Sequence, residues 1–328
     1  MKSWMKISVM LFLICVFCFS AGFCRYADNK DFIKWVDCNV PYEVMVAAYG
    51  YDKEFHKSKD VDFNFIRSLA YLATKNGNKF NKQRDINELR KLVAQLKNGK
   101  NIDDFYGNNK YYKYYVEAYT AIFGRFIGEY KNAKGETIYG LKNCHPFPQG
   151  YWYNHYDDFG VSRSYGFKRK HLGHDLMGSV GTPIVAIEEG TVTELGWNRY
   201  GGWRITVRSF DKQRAYYYAH LRKGKPYVEG LKVGDAVRAG DVIGYLGVTG
   251  YSTKENSNMK CAPHLHLGMQ LIFDESQLDG PTEIWIDMYQ ICKFLSHNRV
   301  SVVKEGNDYK RANRLMEKIT CEGDFFTT

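Results

Sequence analysis

The sequence predicts an α+β protein of several domains: an N-terminal helical bundle, a compact antiparallel β-domain, and a closing C-terminal helix. Three observations predict it. Residues 40–130 are poor in glycine and proline and place apolar residues at three-four spacing. From about residue 157, short β-branched runs are broken every eight to twelve residues or so by glycine-containing turns. Beyond residue 282, the stretch 284–295 reads as a further helix. The chain divides accordingly into residues 1–24, a signal peptide or membrane anchor; 25–144, the helical domain; 145–156, a linker; 157–282, the β-domain; and 283–328, the C-terminal helix and tail.

The first segment sets the compartment. Lys2 and Lys6 precede an apolar stretch over residues 7–23, whose most hydrophobic part, 7–19, has the length of a signal-peptide core. The whole stretch approaches a minimal membrane span, and the lysines would keep the N-terminus inside and export the rest. The chain is therefore expected in the cell envelope or outside the cell, either secreted or held by this segment. Ser20 and Gly22 suit cleavage near Phe23, whereas Phe23 directly before Cys24 fits a lipoprotein signal poorly.

In the helical domain, residues 42–49, 63–73 and 86–96 read as helices. In the last, Leu89, Leu92, Val93 and Leu96 follow one buried face. Residues 111–130 continue the pattern with many tyrosines, and Asn76-Gly77-Asn78 and Asn98-Gly99-Lys100 mark turns or helix ends. His145-Pro146-Phe147-Pro148-Gln149-Gly150 reads as linker. The tail after about 298 is polar and expected to be mobile.

Composition narrows the partners. The 328 residues carry 46 Lys and Arg against 36 Asp and Glu, a formal net charge of +10. Export argues against nucleic acid, so the charge points to anionic wall polymers, to peptide carboxylates or to a membrane surface. The basic residues are spread, with a local cluster at Arg163, Lys168, Arg169 and Lys170. Of eight cysteines, Cys15 and Cys18 lie in the apolar N-terminal stretch, and the other six show no Cys-x-x-Cys spacing and look free rather than paired. Among the 26 tyrosines, the clusters at 111–115 and 151–156 read as packing and bridging elements, while Trp197, Tyr200 and Trp203 are the better candidates for a cleft wall.

The chemistry lies in the histidines. Five of nine fall in three short segments. In Pro263-His264-Leu265-His266-Leu267-Gly268, a strand would send both imidazoles to the same face. Upstream, His171-Leu172-Gly173-His174-Asp175 places a carboxylate four residues after an imidazole, and a third segment, Tyr216-Tyr217-Tyr218-Ala219-His220, ends a strand with another histidine. Two imidazoles and one carboxylate form the set that leaves a tetrahedral zinc one open position.

Between these segments run Gly181-Thr182-Pro183, Glu189-Gly190-Thr191-Val192, Val233-Gly234-Asp235, Ala239-Gly240-Asp241 and Gly247-Val248-Thr249-Gly250-Tyr251-Ser252. Over residues 157–271, beginning at Phe159-Gly160-Val161-Ser162-Arg163, order and spacing closely resemble the lysostaphin-like zinc endopeptidases of peptidoglycan, the M23 metallopeptidases. The resemblance implies a lysostaphin-like β-domain and a zinc-dependent endopeptidase acting on peptidoglycan peptides. It implies His171, Asp175 and His266 as zinc ligands, with His264 and His220 as the non-ligand histidines of the site. A neutral imidazole near the metal can move protons at working pH, and His264 is the expected base with His220 steadying the oxyanion, although the two roles are interchangeable at this level. His174, where relatives commonly carry an aliphatic residue, is expected to pack or to support a ligand. Relatives usually pass from Thr-Gly-x-Ser-Thr almost directly to Gly-Pro-His, but this chain inserts residues 254–262. That loop, with Cys261 in it, should border the cleft and leaves the bond cleaved open. The alternative function is a non-catalytic wall-binding or scaffold module on the same fold, against which stands the presence of all five matched residues.

Overall fold

The computed structural model describes residues 38–132, 134–164, 168–278 and 282–312. The expected export segment lies outside the described residues, and among those described no helix is long and apolar enough to cross a membrane.

The chain begins with helices α1 (Tyr42–Ser58), α2 (Phe65–Asn76), α3 (Lys82–Lys97), the single turn α4 (Asp103–Tyr106), and α5 (Lys110–Phe123). Asparagine starts three of them: the side chains of Asn64, Asn81 and Asn109 accept from backbone amides of the first turn. Gly77, at φ 63°, ends α2 in the left-handed conformation. The face predicted for α3 is buried through Leu89, Leu92, Val93 and Leu96, each worth about 1.5–3 kcal/mol when fully removed from water. The helix expected over 111–130 stops at Phe123, and residues Ile127–Lys131 (β1) and Thr137–Leu141 (β2) form an antiparallel hairpin instead. Gly124 marks the break.

The β-domain follows. Its strands are β3 (Asn154–His155), β4 (Ser162–Ser164), β5 (Lys168–Lys170), β6 (His174–Met177), β7 (Pro183–Val185), β8 (Gly190–Asn198), β9 (Gly202–Ser209), β10 (Arg214–Ala219), β11 (Ala236–Val237), β12 (Val242–Tyr245) and β13 (His264–Leu271). The main sheet has the order β11-β8-β9-β10-β13-β6-β3, with antiparallel neighbours throughout. β7 and β12 pair as a separate two-stranded sheet, and β4 pairs with β5.

Strand alternation gives the main sheet two unlike faces. Leu265, Leu267, Met269 and Leu271 share one face with Tyr216, Tyr218, Ile205 and Val207, all fully buried. The other face carries His264, His266, Gln270, Tyr217, Arg204, Thr206 and Arg208, and it forms the floor of a groove.

The C-terminal part differs from expectation. Residues 284–295 are not one helix: Ile284–Ile286 pair with β13 as β14, and only Tyr289–Leu295 are helical (α6). The Ile-Trp-Ile alternation, buried on either side of Trp285, suits a strand. Asp287 Oδ1 then accepts from the Tyr289 amide at 2.8 Å as the chain turns into the helix. The polar stretch expected to be mobile forms a hairpin of β15 (Val302–Glu305) and β16 (Asp308–Arg311). The segment read as linker is a packed strap. The amides of Cys144 and His145 donate to Ile187 and Asn298 carbonyls at 2.9 and 3.0 Å, and Phe147 is fully buried. Cys38, Cys144 and Cys292 are buried, and Cys261 is exposed.

Helices and sheet share buried contacts. On β10, Arg214 is fully buried and bidentate with Glu188 at 2.8 and 3.0 Å, and its Nη1 donates to the Ala121 carbonyl of α5 at 2.7 Å. From α6, the Phe294 ring stacks on Phe65 of α2 at 5.7 Å and meets Tyr49 of α1 edge-on at 6.0 Å.

Candidate metal centre

Three predicted residues converge. His171 arrives on the turn before β6, Asp175 lies on β6, and His266 lies on β13 directly opposite Asp175 in the antiparallel register, so both leave the same sheet face. His171 Nε2 lies 2.9 Å from His266 Nδ1, and Asp175 Oδ1 lies 3.1 Å from each of those nitrogens. Gly173 makes the approach possible, because a Cβ there would stand 2.5 Å from His266 Cε1. A tetrahedral ion with bonds of about 2.0–2.1 Å holds its ligand atoms about 3.3 Å apart. The triangle therefore needs only a slight expansion to fit zinc, and imidazole and carboxylate suit it chemically.

The other two predicted histidines stand beside this triangle. His264, on β13, places Nδ1 2.8 Å from the Ala262 carbonyl, and its Nε2 lies 3.7 Å from Asp175 Oδ2. His220 follows β10 at φ 62°, an uncommon conformation for a side-chain-bearing residue, fixed by its amide donating to Gly201 O at 2.7 Å. Its Nδ1 lies 2.8 Å from the Thr249 carbonyl, and its ring centroid lies 4.8 Å from that of His264. A carbonyl oxygen can only accept, so Nδ1 carries the proton in both rings and Nε2 is offered to the site.

A layer behind the ligands had no sequence signal of its own. Asp158 sits just before the Phe-Gly opening, and its Oδ2 lies 3.2 Å from His171 Nδ1 while its Oδ1 lies 3.0 Å from His174 Nδ1. His174 is fully buried, faces away from the groove opposite Leu267, and reaches His155 Nδ1 at 2.7 Å. Its expected supporting role thus has a partner, Asp158. Arg163, counted with the basic cluster, bridges the two carboxylates, with Nη2 2.9 Å from Asp158 Oδ2 and 2.8 Å from Asp175 Oδ2.

The electrostatics follow from this packing. Burial disfavours the His171 cation, but Asp158 and Asp175 outweigh it and push the imidazole up to about 9. Burial would raise Asp175, yet hydrogen bonds from His171 and His266 hold its carboxyl well below the usual range. Burial first, and then the neighbouring His264 and His266, push His220 well below the usual imidazole range, so it rests neutral.

From His266 a cavity of about 620 Å3 runs along the sheet face, walled by Tyr217, Trp285, Leu172 and Arg169. Gly268 makes room for Trp285, whose ring would lie 2.5 Å from a Cβ at that position. The tryptophan expected in the wall, Trp203, is instead engaged with Trp197 and Tyr227, and its indole N–H donates to Asn256 Oδ1 at 2.9 Å. That bond ties down the inserted loop, near whose end Cys261 places Sγ 3.8 Å from His264 Nδ1.

Comparison with known proteins matches the same region. The family described as Peptidase family M23 covers residues 169–279. An L-Ala–D-Glu endopeptidase of Bacillus subtilis is 36% identical over 128 residues, 39% of this chain and 38% of that one. Lysostaphin of Staphylococcus simulans is 38% identical over 121 residues, 37% of this chain and 21% of that one. The chain thus spans well under half of these relatives' own lengths. A crystal structure from Ruminococcus gnavus, of a candidate glycyl-glycine endopeptidase lytM, superposes with a TM-score of 0.54 at 24% identity. It covers 82% of this chain and 92% of that one, a likeness of fold that extends beyond the matched family region.

Proposed function

We propose, since residues 169–279 match peptidase family M23, that this chain is a zinc-dependent endopeptidase hydrolysing peptide bonds in the cross-links or stem peptides of bacterial peptidoglycan. The observation that carries the reading is the triangle of His171 Nε2, Asp175 Oδ1 and His266 Nδ1 at 2.9–3.1 Å, with two further imidazoles at its side.

His171, Asp175 and His266 would hold the ion. When bound, zinc lowers the pKa of a water toward neutrality and polarises a scissile carbonyl. His264 is assigned as the base, since its bare Nε2 faces the ligand set: it takes a proton from the attacking water and passes it to the leaving amine. His220, farther from the ligands, is assigned to the oxyanion of the tetrahedral intermediate. Arg163 and Asp158 orient the ligands and touch no substrate in this scheme.

The envelope or the exterior is the place of action, where such a substrate occurs, and the +10 charge suits anionic wall polymers as a second partner. The non-catalytic alternative has no observation in its favour, since all five histidine and carboxylate positions are present and brought together.

The test is incubation of the purified full chain with peptidoglycan, with zinc and with a chelator, while counting released amino groups. Zinc-dependent release is expected, and His266→Ala should abolish both release and tight zinc binding. Stoichiometric bound zinc with no release from any wall type would overturn the reading.

A further inference from the structure

We propose that Arg169 is a carboxylate-binding subsite of the groove, selecting peptides that carry a free carboxylate close to the bond to be cut; this rests on the peptidase reading above. Arg169 lies on β5 opposite Arg163 in register, so both side chains leave the same face of that hairpin. Their surroundings differ. Arg163 is held by Asp158 and Asp175, Arg204 by Glu194, and Arg208 by a bidentate contact with Glu275 at 2.7 and 3.0 Å. Arg169 has no carboxylate partner among the described residues, and its Nε is shielded from water without any hydrogen-bond acceptor.

The side chain is nevertheless held in place. Its guanidinium carbon lies 5.2 Å over the Tyr251 ring. Both Arg169 and His266 line the 620 Å3 cavity, and the neighbouring Lys170 lines it too, again with no ion pair among the described residues. A guanidinium positioned by an aromatic face and lining the cavity presents the planar fork that binds a carboxylate with two parallel hydrogen bonds. Arg204 and Arg208 on the groove floor are neutralised by Glu194 and Glu275, whereas Arg169 and Lys170 carry positive charge with no ion pair among the described residues. The recognised chemistry is an acidic peptide, a carboxylate on a side chain or on a chain terminus next to the scissile bond.

The experiment uses the zinc-loaded full chain and two synthetic wall peptides identical except that one carries a carboxylate where the other carries a carboxamide. Binding and hydrolysis are read in parallel. A preference of about tenfold for the acid in kcat/KM is expected, the size of one charge-assisted contact. It should shrink as salt is raised, vanish in Arg169→Gln, and be restored in part by Arg169→Lys. Hydrolysis of both peptides at equal kcat/KM, or a preference that survives Arg169→Gln, would overturn the subsite while leaving the peptidase reading intact. Carboxylate-dependent binding without any hydrolysis would support the subsite and overturn the peptidase reading. The salt dependence of the unaltered protein decides the matter should Arg169→Gln fold poorly.

Discussion

Asp158 holds His171 through two oxygens: its backbone carbonyl lies 3.0 Å, and its Oδ2 3.2 Å, from His171 Nδ1. Both contacts fix Nδ1 as the protonated nitrogen and leave Nε2 aimed at Asp175 and His266. Partners of this kind commonly contribute 10–100-fold to metal affinity. Asp158→Ala is therefore expected to weaken zinc binding by about that factor, and Asp158→Asn by less, because the amide oxygen and the backbone carbonyl can still accept. Competition with a chromogenic chelator measures it directly. Unchanged zinc affinity in Asp158→Ala would show that the backbone carbonyl alone orients the ring.

This relationship also marks where the sequence stops being informative. His171, Asp175, His264 and His266 were legible because strand alternation and close spacing bring them together within two short segments. Asp158 lies thirteen residues before His171 in the chain, reached through the β4–β5 hairpin, and a lone aspartate carries no spacing signature. The α3 face was legible because its three-four pattern is undisturbed. The 284–295 stretch was misread because Ile-Trp-Ile followed by a short amphipathic run satisfies helical spacing, while the free edge of β13 that takes it as a strand is a tertiary feature. The pairing of β15 with β16 is equally hidden, since Val302–Glu305 is mostly exposed and has no core face to betray it.

The buried Arg214–Glu188 pair gives a stability prediction. Arg214→Met leaves Glu188 buried with only the Tyr216 hydroxyl, at 2.7 Å, and the more distant Arg125 to compensate it. A loss of about 3–5 kcal/mol is expected, as for other broken buried pairs. Removing both charges, in Arg214→Met with Glu188→Gln, should recover a substantial part of that loss. Urea denaturation of the single and double variants checks it. A double variant no more stable than Arg214→Met would mean that the other contacts of Arg214, with the Ala121 carbonyl and with Asp211, are what matters rather than the pair with Glu188.

His145 predicts the acid response of the fold. Its ring is fully buried, accepts from the Phe147 amide at 3.1 Å, and is pushed down to about 3 by burial. The unfolded chain takes up this proton near pH 6.5 and the folded chain only near 3. The stabilisation is thus complete above 6.5 and is lost as pH falls toward 3, at up to about 1.4 kcal/mol per pH unit. Between pH 6.5 and 5 the carboxylates contribute little, so the slope there reports buried histidine, with His155, pushed down to about 4, adding its share. His145→Asn, whose side-chain oxygen can still accept from the Phe147 amide, should flatten that slope. An unaltered slope in the variant would assign it to the other buried imidazoles held down, His155, His220 and His266.

Phe294 tests whether the C-terminal helix completes the helical part. It comes from α6, after the β-domain, yet its ring is fully buried between Phe65 and Tyr49, and the Tyr42 amide at the start of α1 donates to Gln290 Oε1 at 3.0 Å. The first helices therefore close their core only when the end of the chain has docked. Phe294→Ala should cost about 3–5 kcal/mol through lost burial and the cavity left behind. Because the site lies on strands β6, β10 and β13 rather than on these helices, zinc affinity should be unchanged at temperatures where the variant is folded. Denaturation followed both by tyrosine fluorescence and by zinc release distinguishes the outcomes. Coincident transitions shifted together mean that helices and sheet unfold as one unit through α6, whereas an early tyrosine transition with zinc retained means that the β-domain stands without the helical part.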